Sequence, residues 1–365
     1  MINIDKKPTD YGSLFYGDYG GIGRLDIAAD SDFKELAEID EANFWGLNIV
    51  SCSSDRWRDM APNQLSKAHK TLAYQTLMDG TVPDLFFPLA DLATDPWLSY
   101  LYSRIGTMEK VHTNSYSSGV SQAFGAEAEE FLDIIYTDDI IKGRVEPELE
   151  IAARFIKAYK QDFLETTENK KLLLEVLIKI FILEGVKFPF SFFTTWTMNK
   201  ASGNCIQGFS QLLIKISIDE MVVHTTTGAT VINKLRLDTR FKDLFDSGWF
   251  KDMANRAFDE ALTNELGWVD YLLEDGEVQG FTYDICEHFI NYWINTRKRQ
   301  IRIKPDTVGY TKNDIIDWYN KYRNPNQKVN ASQEQDNIAY KKNTVLNDLD
   351  KFDLGKDNEC KVQDK

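Results

Sequence analysis

Cysteine, histidine and proline are all scarce, at four, four and nine residues in a chain of 365. Cys52, Cys205, Cys286 and Cys360 lie far apart with no Cys-x-x-Cys spacing, which disfavours a zinc-thiolate site and points to reduced thiols in a cytoplasmic protein. Few prolines and few alternating Thr/Val stretches disfavour sheet and predict an all-α class. Basic charge is in deficit too, with 42 Lys and Arg against 57 Asp and Glu, a net charge of −15. Such a surface repels phosphate backbones, so no nucleic acid is expected as a partner. Met1 to Asp10 lacks the apolar core of a secretory signal, and there is no Gly-rich phosphate loop. The longest apolar region, Leu172 to Met198, is interrupted by Glu175, Lys179, Glu184 and Lys187, so it reads as a buried helix and no membrane span is expected.

What is present is enough apolar material for a sizeable core, 43% of residues. Residues 1–30 carry glycines and aromatics without a period and read as an N-terminal arm; residues 31–323 read as a helical domain; residues 324–365, rich in Asn, Gln, Lys, Asp and Glu, read as a flexible tail. A short helix is predicted over 32–43 and about eight long ones over 62–87 with a stop or kink at Pro83, 96–119, 127–141, 146–167, 170–200, 207–235, 249–273 and 282–303. Lys170 to Lys200 is apolar nearly all round, and Pro189 inside it removes a backbone donor and predicts a distortion. His69, beside Lys67 and Lys70, reads as part of a solvated face, and His288 as structural.

The chemistry concentrates first in Glu109 to Tyr116, Glu-Lys-Val-His-Thr-Asn-Ser-Tyr. On a helix turning about 100° per residue, His112 lies about 60° and Tyr116 about 20° from the azimuth of Glu109, so one face carries a carboxylate, an imidazole and a phenol. Glu-x-x-His is the repeating unit of dinuclear carboxylate sites in helical bundles, and the phenol falls one turn beyond it. Interior positions on other predicted helices supply Asp79, Glu184, Glu220 and His224. Four carboxylates and two imidazoles suit two hard ions such as iron or manganese, with positions left open for dioxygen. Two of the only four histidines thus each follow a Glu on a buried helix.

Four stretches in this order resemble the motif series of the class I ribonucleotide reductase small subunit: Tyr-Gln-Thr-Leu-Met-Asp ending at Asp79, the stretch ending at Tyr116, Leu-Glu-Gly-Val-Lys-Phe-Pro-Phe-Ser-Phe around Glu184, and Asp219-Glu220 followed by His224. The resemblance covers about residues 15–300 and implies a ferritin-like helical bundle and a homodimer. It implies that Asp79, Glu109 and His112 ligate one iron and Glu184, Glu220 and His224 the other, with Glu109 and Glu220 bridging. By the same resemblance Tyr116 is the residue oxidised to a stable radical, shielded by Phe188, Phe192 and Ile216. Trp45 and Asp219 form the electron path from His112, and Tyr340 in the tail passes the radical to the large (alpha) subunit, onto which the tail docks around Phe352. One residue departs from the pattern: the family's second pair is usually Glu-x-x-His, whereas Glu220 and His224 are four apart. Aligning on His224 would put the thioether of Met221 at the ligand position; Glu220 is retained, with a π-bulge bringing both side chains to one face.

The function expected is therefore the radical-generating subunit of ribonucleoside-diphosphate reductase, an oxidoreductase holding two iron ions per chain. Manganese uses the same ligands, and a dimanganese form would need an activating flavoprotein. The rivals are a stand-alone ferritin-like diiron oxidase, which needs a substrate channel but not Trp45, Asp219 or a tail tyrosine, and a metal-binding bundle without catalysis, which has no use for Tyr116.

Overall fold

A computed structural model of the chain describes residues 4–324 apart from 8, 10, 19, 20, 22, 23, 28–30, 81, 82 and 306. By its contacts the chain divides into Met1–Asn324 and Pro325–Lys365, and the second unit, with Tyr340, Phe352 and Cys360, lies outside the described residues.

The first unit is helical. Its helices are α1 (Ser31–Asn43), α2 (Pro62–Asp79), α3 (Pro83–Leu92), α4 (Pro96–Phe124), the short α5 (Ala128–Leu132) and α6 (Ile134–Thr137), α7 (Asp139–Tyr159), α8 (Thr167–Ile182), α9 (Phe188–Ala201), α10 (Gln207–Ile218), α11 (Thr225–Leu235), the short α12 (Lys242–Asp246), α13 (Trp249–Leu273), α14 (Tyr283–Gln300) and α15 (Asp314–Tyr322). No strand occurs among the described residues, only the isolated bridges Phe15 to Ala93 and Val278 to Phe281. Within the N-terminal arm, Leu14 and Phe15 are buried.

Helix starts follow side-chain chemistry. Asp95 accepts from the Leu98 amide at 2.7 Å with Pro96 in the first turn, Thr166 caps α8 through Asn169 at 3.1 Å, and Asn313 caps α15 through Ile316 at 3.1 Å. The predicted 62–87 helix is two, separated between Asp79 and Pro83. The predicted helices over 127–141 and 146–167 divide elsewhere: Asp138 accepts from the amides of Ile140 and Ile141, both at 2.9 Å, and starts α7 there. Asp55 fixes the start of α10, its two oxygens taking the Gly208 and Phe209 amides at 2.7 and 2.8 Å. Gly208 is required at that approach, since a Cβ would meet the Ser51 carbonyl at 2.4 Å.

The core forms where α4 packs on α1, α2 and α3, and α2 packs on α9; α8 packs on α7, α11 and α13, and α13 on α14. α9 is buried from Phe188 to Asn199. Three of its four buried hydroxyls are satisfied within the helix: Ser191, Thr194 and Thr197 each donate to the carbonyl four residues back, at 3.1, 2.9 and 2.7 Å, while Thr195 Oγ1 has no partner. No helix among the described residues is long and apolar enough to cross a membrane.

Candidate metal centre

Two helical columns widen where candidate ligands stand. Leu183–Lys187, between α8 and α9, and Asp219–His224, between α10 and α11, are π-turns, in which the Phe188 and Thr225 amides reach back five residues to the carbonyls of Leu183 and Glu220. Each turn absorbs an extra residue without interrupting the column. The second resolves the unusual spacing: Glu220 and His224 both point into the core, while the Met221 sulfur lies 3.3 Å from a nitrogen of Arg297. The first ends just before Pro189, which cannot donate to the Gly185 carbonyl four residues back. α4 is regular and carries Glu109, His112 and Tyr116, and Asp79 is the last residue of α2.

These elements bring Asp79, Glu109, His112, Glu184, Glu220 and His224 together, every one buried. They form two overlapping sets, Asp79 with Glu109, His112 and Glu220, and Glu109 with Glu184, Glu220 and His224, whose candidate ligand atoms lie within 4.8 Å of one another in each. Glu109 and Glu220 belong to both. Glu220 points Oε1 at His112 Nδ1 (3.0 Å) and Oε2 at His224 Nδ1 (2.9 Å); Glu109 points Oε1 at His224 Nδ1 (3.0 Å) and Oε2 at His112 Nδ1 (3.6 Å). Asp79 is 4.0 Å from His112 Nδ1 and Glu184 is 3.8 Å from His224 Nδ1, so each imidazole has one carboxylate of its own and two shared. The two rings lie 6.0 Å apart.

The electrostatics of this cluster are unbalanced without cations. Burial, and behind it the charges of Glu109 and Glu220, hold Asp79 and Glu184 well above the usual carboxylate range. For Glu220, burial is outweighed by the charge of His224 and by hydrogen bonds from its neighbours, and its pKa falls. Burial would lower both imidazoles, but the bond to Asp219 and the adjacent Glu109 and Glu220 carboxylates raise His112, and the charge of Glu220 with the adjacent Glu109 and Glu184 carboxylates raises His224. Both oxygens of Asp79, Glu109 and Glu184, Glu220 Oε1 and His112 Nδ1 are buried without a hydrogen-bond partner. Orphaned buried polar atoms of this kind are costly, and two divalent ions would balance four carboxylates and use those atoms. Hard oxygens with two imidazoles are a donor set for iron or manganese.

Around the cluster, His112 Nε2 lies 3.0 Å from Asp219 Oδ2, and the same oxygen accepts from Trp45 Nε1 at 2.7 Å. The Trp45 ring stacks on His112 at 5.6 Å. His224 Nε2 has no such partner. Tyr116 is fully buried and its hydroxyl makes no hydrogen bond; burial first, then the charges of Asp79, Glu220 and Glu109, push its pKa well above 10. Phe188, Phe192 and Ile216 are likewise wholly buried, Phe188 stacked on Phe192 at 6.0 Å. The ring packed against Tyr116, at 6.0 Å, is Phe209, which the sequence reading missed. Its signal was position, since it stands two turns before Ile216 on α10. His69 is not on a solvated face: it stacks on Phe131 at 3.8 Å, and burial lowers its pKa. His288 Nε2 lies 2.8 Å from the Thr311 carbonyl.

A family model described as "Ribonucleotide reductase, small chain" matches residues 27–306. Ribonucleoside-diphosphate reductase 1 subunit beta of Salmonella typhimurium is 24% identical over 93% of this chain and 94% of its own. Among solved structures, the ribonucleotide reductase R2 subunit from Clostridium botulinum superposes with a TM-score of 0.78 at 19% identity, covering 88% of this chain and 98% of that one. An R2-like ligand-binding oxidase with a reconstituted Mn/Fe cofactor superposes with a TM-score of 0.60 at 19% identity, covering 79% and 99%. At such identities these two structures bear on the fold alone.

Proposed function

Because the chain belongs to the ribonucleotide reductase small-chain family, a family of oxidoreductases, we propose that its buried centre generates a tyrosyl radical at Tyr116 and exports it to a separate large subunit that reduces ribonucleotides. The observation that carries this reading is the pairing of two shared carboxylates between two histidines with an unbonded, fully buried phenol on the same helix. Asp79, Glu109 and His112 would hold one ion and Glu184, Glu220 and His224 the other, with Glu109 and Glu220 common to both. Two iron ions held there, with manganese as the alternative, would supply the activation of dioxygen needed to take one electron from Tyr116.

The residues then divide the work. Tyr116 gives up its electron and its hydroxyl proton together, since a buried phenol so hard to ionise does not lose the proton first. Asp79 leads the carboxylates whose charge bears on that hydroxyl. Phe209, with Phe188, Phe192 and Ile216, excludes water and reductants from the resulting neutral phenoxyl. Asp219 orients His112 and holds the Trp45 indole against it, giving a short bonded route along which electrons enter the centre as the hole leaves it. Tyr340, in the tail, would relay the hole onward to a large subunit docked around Phe352, with the small subunit acting as a homodimer.

A stand-alone oxidase, the second reading, draws on the fold shared with the ligand-binding oxidase. It requires room for an organic substrate beside the ions and leaves the Trp45–Asp219–His112 chain without a task. Turnover tests the choice. Iron-loaded, oxygen-exposed protein mixed with a ribonucleotide reductase large subunit should reduce a ribonucleoside diphosphate, and Tyr116→Phe and Trp45→Phe should each abolish this. Unchanged turnover by Tyr116→Phe would overturn the proposal.

A further inference from the structure

Arg297, on α14, is 1% exposed and none of its contacts among the described residues is to a carboxylate. A guanidinium in that position is expensive to bury, so what it bonds must account for it. Nε donates to the Gly185 carbonyl at 2.9 Å, the acceptor that Pro189 leaves without a helical donor. Nη2 lies 3.3 Å from the Met221 sulfur and Nη1 donates to Gln300 Oε1 at 2.8 Å, while the guanidinium covers the Trp293 ring at 4.8 Å. One side chain thus ties α14 to both π-turns, at the residue next to Glu184 in one and next to Glu220 in the other. Gly185 completes the fit: a Cβ there would stand 2.5 Å from Arg297 Nε.

We propose that Arg297 is a positioning residue that holds both π-turns open and thereby sets Glu184 and His224 for the second ion. The physical reason is register. A π-turn that closes to regular helix moves its residues round the axis by about 100° per residue gained, which carries a carboxylate several ångström out of the cluster. The backbone bond to Gly185 and the contact at Met221 resist that change in both turns at once. Asp79, Glu109 and His112 stand on α2 and the regular α4 and do not depend on it, so of the first ion's candidate ligands only the shared Glu220 does. The proposal rests on the two-ion reading above.

The test is a Mn²⁺ titration of the metal-free full-length protein, with free ion counted by its electron paramagnetic resonance signal. Wild type should bind two ions per chain. Arg297→Gln should bind the second ion about tenfold or more weakly, the range found when a residue supporting a metal ligand is removed, and should weaken the first distinctly less, because that ion loses only the shared Glu220. Gly185→Ala, which displaces the guanidinium without changing charge, should do the same, and Arg297→Lys should not restore the second step because its ammonium cannot bond both turns. Two unchanged steps in Arg297→Gln and Gly185→Ala would overturn the proposal, as would equal weakening of both steps. Failure of wild type to bind two ions would instead overturn the metal reading itself.

Discussion

Replacing Asp219 by Asn separates a positioning role from simple packing, because the side chain keeps its shape and loses its charge. Asp219 is 2% exposed, and its Oδ2 accepts from Trp45 at 2.7 Å and from His112 at 3.0 Å. A hydrogen bond to a charged acceptor contributes about 1.5–3 kcal/mol, and losing the partner of a ligating histidine typically weakens metal binding about 10–100-fold. A second effect opposes this: Asp219 also heads the bonds that raise the pKa of His112, so Asn lowers that pKa and relieves competition by protons. The defect should therefore be largest at alkaline pH, where wild-type His112 is already neutral, and should shrink as pH falls. In the Mn²⁺ titration the step that weakens should be the ion at His112, leaving the ion at His224 within about twofold, since His224 Nε2 has no corresponding partner. Trp45→Phe should leave both steps unchanged. An Asp219→Asn protein with wild-type affinities and a wild-type pH profile would refute the reasoning.

Metal loading of the wild type should itself depend on pH. His112 and His224 are held protonated above the ordinary imidazole range in the metal-free protein, so binding must displace protons, and the apparent affinity for Mn²⁺ should climb as pH rises beyond 6.5; a flat profile would contradict the assigned ligands. Away from the centre, Arg144 and Glu265 form a buried bidentate pair at 2.7–3.0 Å, with the guanidinium over Tyr74 and Trp268. Arg144→Met alone should cost about 3–5 kcal/mol in urea unfolding by stranding Glu265, and adding Glu265→Leu should recover most of it.

Much of the site was legible because its chemistry needs rare residues at fixed intervals. Four histidines in the whole chain, two of them just after glutamates on apolar helices, leave little room for another reading, and the extra residue between Glu220 and His224 announced a widened turn. What escaped depends on contacts between distant segments. Pro189 signals that the Gly185 carbonyl loses its donor, but nothing local says that Arg297, 112 residues away, supplies a replacement. His69 sits between lysines in sequence and is covered by Phe131 from another helix. The boundary before α7 was set by Asp138 acting as a cap between two apolar stretches, where periodicity gives no stop.

The central claim is that the two-ion centre exists to oxidise one phenol. Electron paramagnetic resonance on full-length protein loaded with ferrous iron and exposed to oxygen tests it most directly, comparing wild type, wild type grown on ring-deuterated tyrosine, and Tyr116→Phe. The account predicts a tyrosyl signal in wild type, narrowed by deuteration and missing from Tyr116→Phe, with two irons still bound in the variant. No tyrosyl signal in iron-loaded wild type, or the same signal in Tyr116→Phe, would contradict it.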